Sequence, residues 1–376
     1  TAAIPSSQIA VSLVENSGLG EFKASNLQDK IDGKIVALQA YISQLSEGFT
    51  GSSNQNDIET LLQLLYLSFE HPRFEKNAYS RILNDLNNSF ENTKNTNSKV
   101  FQDTISALST NYSKRVPLLD QKFINELSFE KAKSIYKERF QNAAEFTFVF
   151  TGNLPDNMVL LIEKYIGSIS GNANKLENFA DNNIEPAPGV SKQLLVREMD
   201  VPMASVYVSY MNKFPYTYKN EFCMYILSEL LSKRYQNLIR EGEGGSYGVA
   251  VASETTKFPV DSYSLVINFD TDPIKEEKLM KIVFEQIDLV QKKAITKEDL
   301  QSIKNALLKS RAESVLTNDF WLSKLSEVIV HKQDFKNDAI FSKTLNEITT
   351  EDIKKFAAEF FKDSKSVQVI MTSKFR

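Results

Sequence analysis

Ile124-Asn125-Glu126-Leu127-Ser128, continuing to Phe140, aligns without a gap on Leu345-Asn346-Glu347-Ile348-Thr349, continuing to Phe361, at a constant offset of 221. Asn125/Asn346, Glu126/Glu347, Glu130/Glu351, Lys133/Lys354, Glu138/Glu359 and Phe140/Phe361 are identical, where average composition gives roughly one match by chance. Each stretch opens with Ser or Thr followed shortly by Glu, a helix-start signal, and continues with apolar residues at helical spacing. The period then changes to two, as in a strand with one buried face: Phe146, Phe148 and Phe150 in the first copy, Val367, Val369 and Met371 in the second. Upstream, Ile82, Asn84, Leu86 and Ser89 correspond to Ile303, Asn305, Leu307 and Ser310 at the same offset. The repeat unit is therefore a domain, not a short motif.

Between the copies, Ser170 to Gly189 is rich in Asn, Gly and Pro and reads as a linker. The expected division is a first domain over 1–169, a linker over 170–190 and a second domain over 191–376. The second domain opens with two strand-like segments, Gln193 to Met199 and Ser205 to Met211. At offset 221 their counterparts fall before residue 1, so the first copy is expected to be cut inside its domain and to lack an N-terminal hairpin. Paired strands separated from blocks of helices point to an α+β fold: two tandem homologous domains, each a mostly antiparallel sheet with helices packed on one face.

With 376 residues the chain is long enough for two separate cores. Its 44 basic and 48 acidic residues nearly balance without long like-charge runs, which argues against a nucleic-acid partner. No apolar run is long enough to span a bilayer. The start, Thr1-Ala2-Ala3-Ile4-Pro5, has neither an initiator Met nor a signal pattern, and reads as that of a processed piece or fragment. Cys223 lies within Phe222-Cys223-Met224-Tyr225-Ile226-Leu227, where a small buried apolar role is expected. His71 and His331 are the only histidines, and neither sits in H-E-x-x-H or its inverse.

The segment Arg240-Glu241-Gly242-Glu243-Gly244-Gly245-Ser246-Tyr247-Gly248 stands at a junction between a long amphipathic run and an alternating one. Glycines such as Gly244 and Gly245 let a backbone approach a ligand closely, although a helix cap explains some of them without function. Gly244 to Gly248 also satisfies G-x-S-x-G. That match fails on context, because a nucleophile elbow runs strand, turn, helix, and this segment runs helix, turn, strand. What remains is Arg240 and Tyr247: a guanidinium able to grip carbonyls or a carboxylate, and a phenol able to donate to a carbonyl oxygen on which charge grows. Neither activates water unaided, and both residue types also serve structural roles.

With these features in place, the sequence resembles the C-terminal half of a pitrilysin/insulinase-family zinc metallopeptidase, an inverzincin. The paired α+β domains, the Pro72-Arg73-Phe74 turn between two helices, the Arg240-to-Tyr247 spacing and Phe148-Val149-Phe150-Thr151-Gly152-Asn153-Leu154 carry the likeness. The resemblance implies a clamshell that encloses a peptide substrate, in which the N-terminal half holds zinc through H-x-x-E-H and a distant Glu. It further implies that Arg240 holds substrate backbone and that Tyr247 bonds the carbonyl at or near the scissile bond. No zinc motif is present here, so the resemblance implies a half that is inactive alone and partnered by a zinc-bearing half, in the same chain or another. An inactive partner or scaffold subunit is the main alternative, and a serine hydrolase through Ser246 a distant third. Large bacterial members of the family work in the periplasm or cell envelope, which is the expected location.

Overall fold

The computed structural model describes residues 3–172, 180–242, 248–330, 332, 334–335 and 337–374. The first copy contributes helix α1 (Ala10–Ser17), strands β1 (Val36–Ile42) and β2 (Glu47–Ser53), and helices α2 (Ile58–Glu70), α3 (Lys76–Thr93), α4 (Asn97–Ser109) and α5 (Phe129–Phe140). The second contributes β3 (Val190–Arg197), β4 (Ala204–Asn212), α6 (Tyr218–Tyr235), β5 (Val249–Thr256), β6 (Ser262–Thr271), α7 (Glu276–Lys292), α8 (Lys297–Ser314), α9 (Asn318–Val330), α10 (Asp338–Glu347), α11 (Thr350–Phe361) and β7 (Lys365–Ser373). The offset of 221 carries α3 onto α8, α4 onto α9 and α5 onto α11, end to end. Their starts follow the sequence signals. The Ser128 hydroxyl accepts from Lys131 N, while Thr349 and Asp352 form a reciprocal capping box at the head of α11.

By contacts, the chain divides into two compact units, one of residues 1–94, 117–179 and 317–333, the other of 95–116, 180–316 and 334–376. Each unit thus includes one helix from the other copy: α4 belongs to the second unit and its repeat equivalent α9 to the first.

In the second unit the sheet has five strands in the order β3-β7-β4-β6-β5. β3 runs parallel to β7, and the remaining pairs are antiparallel. Alternation along β4 sorts the two faces. Val206 and Val208 join the core built with Ile226, Leu230, Val283, Phe356 and Phe360 from α6, α7 and α11. Tyr207 points the other way, where Ile105 of α4 packs on Val367 and Val369. Residues 181 and 185 are tied to this unit, with Lys213 bridging Asp181 at 3.4 Å and Glu185 at 2.6 Å.

In the first unit, β1 and β2 form an antiparallel hairpin, and α1, α2 and α5 supply half of the buried residues of a core rich in aromatic rings. Residues 146–150, expected as a strand, join no ladder. Their alternation still shows in the packing, because Phe146 and Phe148 stand 5.1 and 6.1 Å from Phe69, ring centre to ring centre. The equivalent strand in the second unit, β7, pairs on both sides, with β3 and β4. A segment that is not laddered to neighbouring strands can still pack one face on a core, because packing and strand pairing are separate requirements.

Candidate functional site

Arg240 is positioned by the end of α6, the central helix of the second unit. Thr217 caps its start by accepting from Asn220 N at 3.0 Å. Phe222, Ile226, Leu227, Leu230, Leu231 and Tyr235 are buried along it, so it is apolar nearly all round, as expected for a helix packed on several sides. At its last turn the Tyr235 hydroxyl donates to the Val283 carbonyl at 3.1 Å, and burial pushes that phenol well above its usual range.

The chain then continues as a π-helical turn, Gln236–Gly242. Such wider turns displace side chains from the positions an α-helix gives them, and they recur at functional sites. Ile239 is fully buried and anchors the turn, which leaves the next side chain, Arg240, exposed. The neighbouring cations are engaged: Lys233 pairs with Asp299 at 2.8 Å, and Arg234 reaches Gln286 at 3.4 Å.

Gly244, Gly245 and Tyr247 lie outside the described residues, as do Ser246 and His331. On either side of them the order is helix then strand, which is the reverse of a nucleophile elbow. The strand entered is β5, an edge of the sheet, paired on one side with β6. Its other side presents backbone donors and acceptors in the spacing an extended peptide needs. The unit therefore places an exposed guanidinium before, and an edge strand after, the segment 243–247.

Other chemistry-bearing residues have structural positions. His71 follows the C-terminus of α2, its amide donating to the Leu67 carbonyl and its ring 6.1 Å from Tyr66. Cys223 is buried in the second core, and burial pushes its thiol up to about 12. Among the described residues, no group of three His, Cys, Asp or Glu side chains is arranged to hold a metal ion. The residues present therefore do not fit a zinc site, and no metal chemistry is assigned to them. No described helix is long and apolar enough to cross a membrane.

Sequence reasoning also missed a groove on the face of the sheet that α4 partly covers. Its residues come from α4, the β3–β4 connection, β4, β6 and β7, five separate stretches with no common motif.

Comparison with known proteins agrees with this architecture. The peptidase M16 inactive domain matches residues 126–307. The chain is 23% identical over 297 residues to the Haemophilus influenzae protein named probable zinc protease PqqL, a match covering 76% of this chain and 30% of that protein. Its fold superposes on the periplasmic protease PqqL from Escherichia coli with a TM-score of 0.82 at 18% identity, over 99% of this chain and 42% of that one. The peptidase M16 inactive domain from Pseudomonas fluorescens superposes with a TM-score of 0.75 at 17% identity, over 98% and 90% of the two chains. The chain thus spans about a third of the length of the curated relatives it matches. The chain is thus homologous to zinc proteases of the PqqL type, matches the peptidase M16 inactive domain over residues 126–307, and is alike in fold to M16 peptidase halves over nearly its whole length.

Proposed function

We propose that this chain is the substrate-facing half of a zinc-dependent metalloendopeptidase that cleaves peptides or small proteins inside a closed cavity. The observation that carries this reading is the exposed Arg240, close in sequence to the edge strand β5. In this reading an extended substrate lies beside that edge. The Arg240 guanidinium grips its backbone carbonyls or terminal carboxylate, with two parallel donors where the geometry allows. Tyr247 donates its phenolic proton in a hydrogen bond to the carbonyl oxygen at or near the scissile bond. That bond strengthens as the oxygen gains charge, so it lowers the barrier more than it aids ground-state binding. Gly244 and Gly245 carry no side chain and so allow close approach of the substrate backbone.

The chain supplies neither metal ligands nor a water-activating base in this account. Both belong to a zinc-bearing half, in the same polypeptide or in a separate subunit. The repeat division at 170–190 then separates two copies of one ancestral domain within this half. The periplasm or cell envelope is the proposed location, in line with the solved Escherichia coli relative, a periplasmic protease.

A second reading is favoured by the inactive-domain match itself: a non-catalytic partner that contributes a cavity wall to another protein's site. The two are separated by turnover of the complete protein. Tyr247→Phe is expected to lower it about 10²–10³-fold, the usual cost of one oxyanion donor, with zinc content unchanged. Equal turnover in both versions removes the assigned role.

A further inference from the structure

The groove beside α4 has a volume of about 560 Å³. Phe101 and Ile105 of α4 form one wall, and Met199, Met203 and Met371 contribute much of the rest. Methionines are flexible and polarisable, so they accommodate long, unbranched apolar stems of varied shape. Two carboxylates, Asp200 and Asp270, belong to the same lining, which contains no Lys or Arg. Both are exposed, and Ser205 steadies one of them by donating to Asp270 at 2.6 Å. Arg197, at the end of β3, donates to Asn97 and to the Asn95 carbonyl, at 3.1 and 2.8 Å.

A groove with Phe, Ile and Met side chains in its walls and two exposed carboxylates in its lining matches one kind of side chain: an aliphatic stem that ends in a cation. The groove also adjoins the proposed substrate track. Asn268, another of its lining residues, is the cross-strand partner of Ala250 at the start of β5. Neighbouring strands stand about 4.8 Å apart. A peptide beside the outer edge of β5 therefore runs about two strand spacings, roughly 10 Å, from β6 and its Asp270, within reach of a long side chain.

We infer that the groove between α4 and the β4–β6 face is a specificity subsite for an Arg or Lys side chain of the bound peptide, with Asp200 and Asp270 receiving the cation. This deepens the proposed function and rests on it, because it takes the peptide to be held by this half. An apolar side chain would fill the channel and leave both carboxylates uncompensated. An acidic one would meet like charge.

The test uses the 376-residue chain and three fluorescein-labelled heptapeptides of alanine whose central residue is Arg, norleucine or Glu, with binding followed by anisotropy. The Arg peptide is expected to bind about ten-fold more tightly than the norleucine peptide, the size of one good charge pair at a partly exposed site. The Glu peptide is expected to bind most weakly. Asp200→Asn combined with Asp270→Asn should bring the Arg peptide down to the norleucine level and flatten its salt dependence; the amide oxygen that replaces the Asp270 carboxylate can still accept from Ser205. Equal affinity for the Arg and norleucine peptides overturns the subsite while leaving peptide binding by this half intact. An Arg preference unchanged in the double variant also overturns it. Failure to bind any of the three peptides contradicts both the subsite and the substrate-facing reading.

Discussion

The Tyr235 hydroxyl donates to the Val283 carbonyl at 3.1 Å, tying the last turn of α6 to the middle of α7 just before the chain widens toward Arg240. Both groups are buried, so the bond sets where the π-helical turn begins. Tyr235→Phe keeps the ring and removes the donor. It is expected to lower stability by about 1 kcal/mol, seen as a lower urea midpoint at unchanged slope. An unchanged midpoint would mean that the bond does not anchor this turn.

The exchanged helix makes a sharper claim about the fold. Ile105 is buried against Val367 and Val369 although it belongs to the first copy. Ile105→Ala is expected to cost about 2–3 kcal/mol, a moderate value for a large-to-small core change. Amide hydrogen exchange should then rise in β3 and β7 and stay unchanged in β1 and β2. Faster exchange in the β1–β2 hairpin alone would place the helix with the wrong unit.

Acid should loosen the head of α11. Burial by itself would raise the Asp352 carboxyl, but hydrogen bonds from Lys219 and from the Thr349 hydroxyl and amide outweigh it and hold the group at about 2. The folded value lies below that of the unfolded chain, so the stabilisation is complete above about pH 4 and is lost as pH falls toward 2. Asp352→Asn should cost about 1 kcal/mol at neutral pH, the usual value of a cap, and almost nothing near pH 2. A cost independent of pH would show that the carboxylate charge is not what matters.

Lys304 sits buried in the second core, where its ammonium donates to the Asn346 and Ile348 carbonyls at 3.0 and 2.6 Å, at the end of α10. A cation there satisfies carbonyls that the helix leaves open. Lys304→Met fills similar volume without a donor and is expected to cost about 2 kcal/mol in chemical denaturation. Wild-type stability in that variant would mean that water satisfies both carbonyls equally well.

The Cys223 thiol, buried and pushed up to about 12, should resist an aromatic disulfide reagent in the native chain and react once urea unfolds it. Rapid stoichiometric reaction without denaturant would place Cys223 at an accessible surface.

How far the sequence carries the argument depends on what each feature requires. α3, α5, α8 and α11 were legible because apolar spacing and caps are local properties, and the constant offset linked them in pairs. The Phe146 to Phe150 alternation correctly marked half-buried side chains packed against the core but not a ladder, since pairing needs neighbouring strands and alternation records only a covered face. The exchange of α4 and α9 was not legible at all. An amphipathic helix announces that one face will be covered, not which sheet will cover it. Arg240 could be singled out because its turn is contiguous. Asp200 lies in the β3–β4 connection and Asp270 on β6, far apart in sequence, and they line one groove only in the folded unit.

The central claim is that this chain shapes and holds a peptide for a zinc-bearing half and cleaves nothing alone. The most direct measurement is hydrolysis of a quenched-fluorescence peptide by this chain, by a separately produced zinc-bearing half, and by the two mixed. The account predicts negligible rates from either part, a large increase on mixing, and loss of that increase with Arg240→Ala. Hydrolysis by this chain alone, or equal rates from the zinc-bearing half with and without it, would contradict the account.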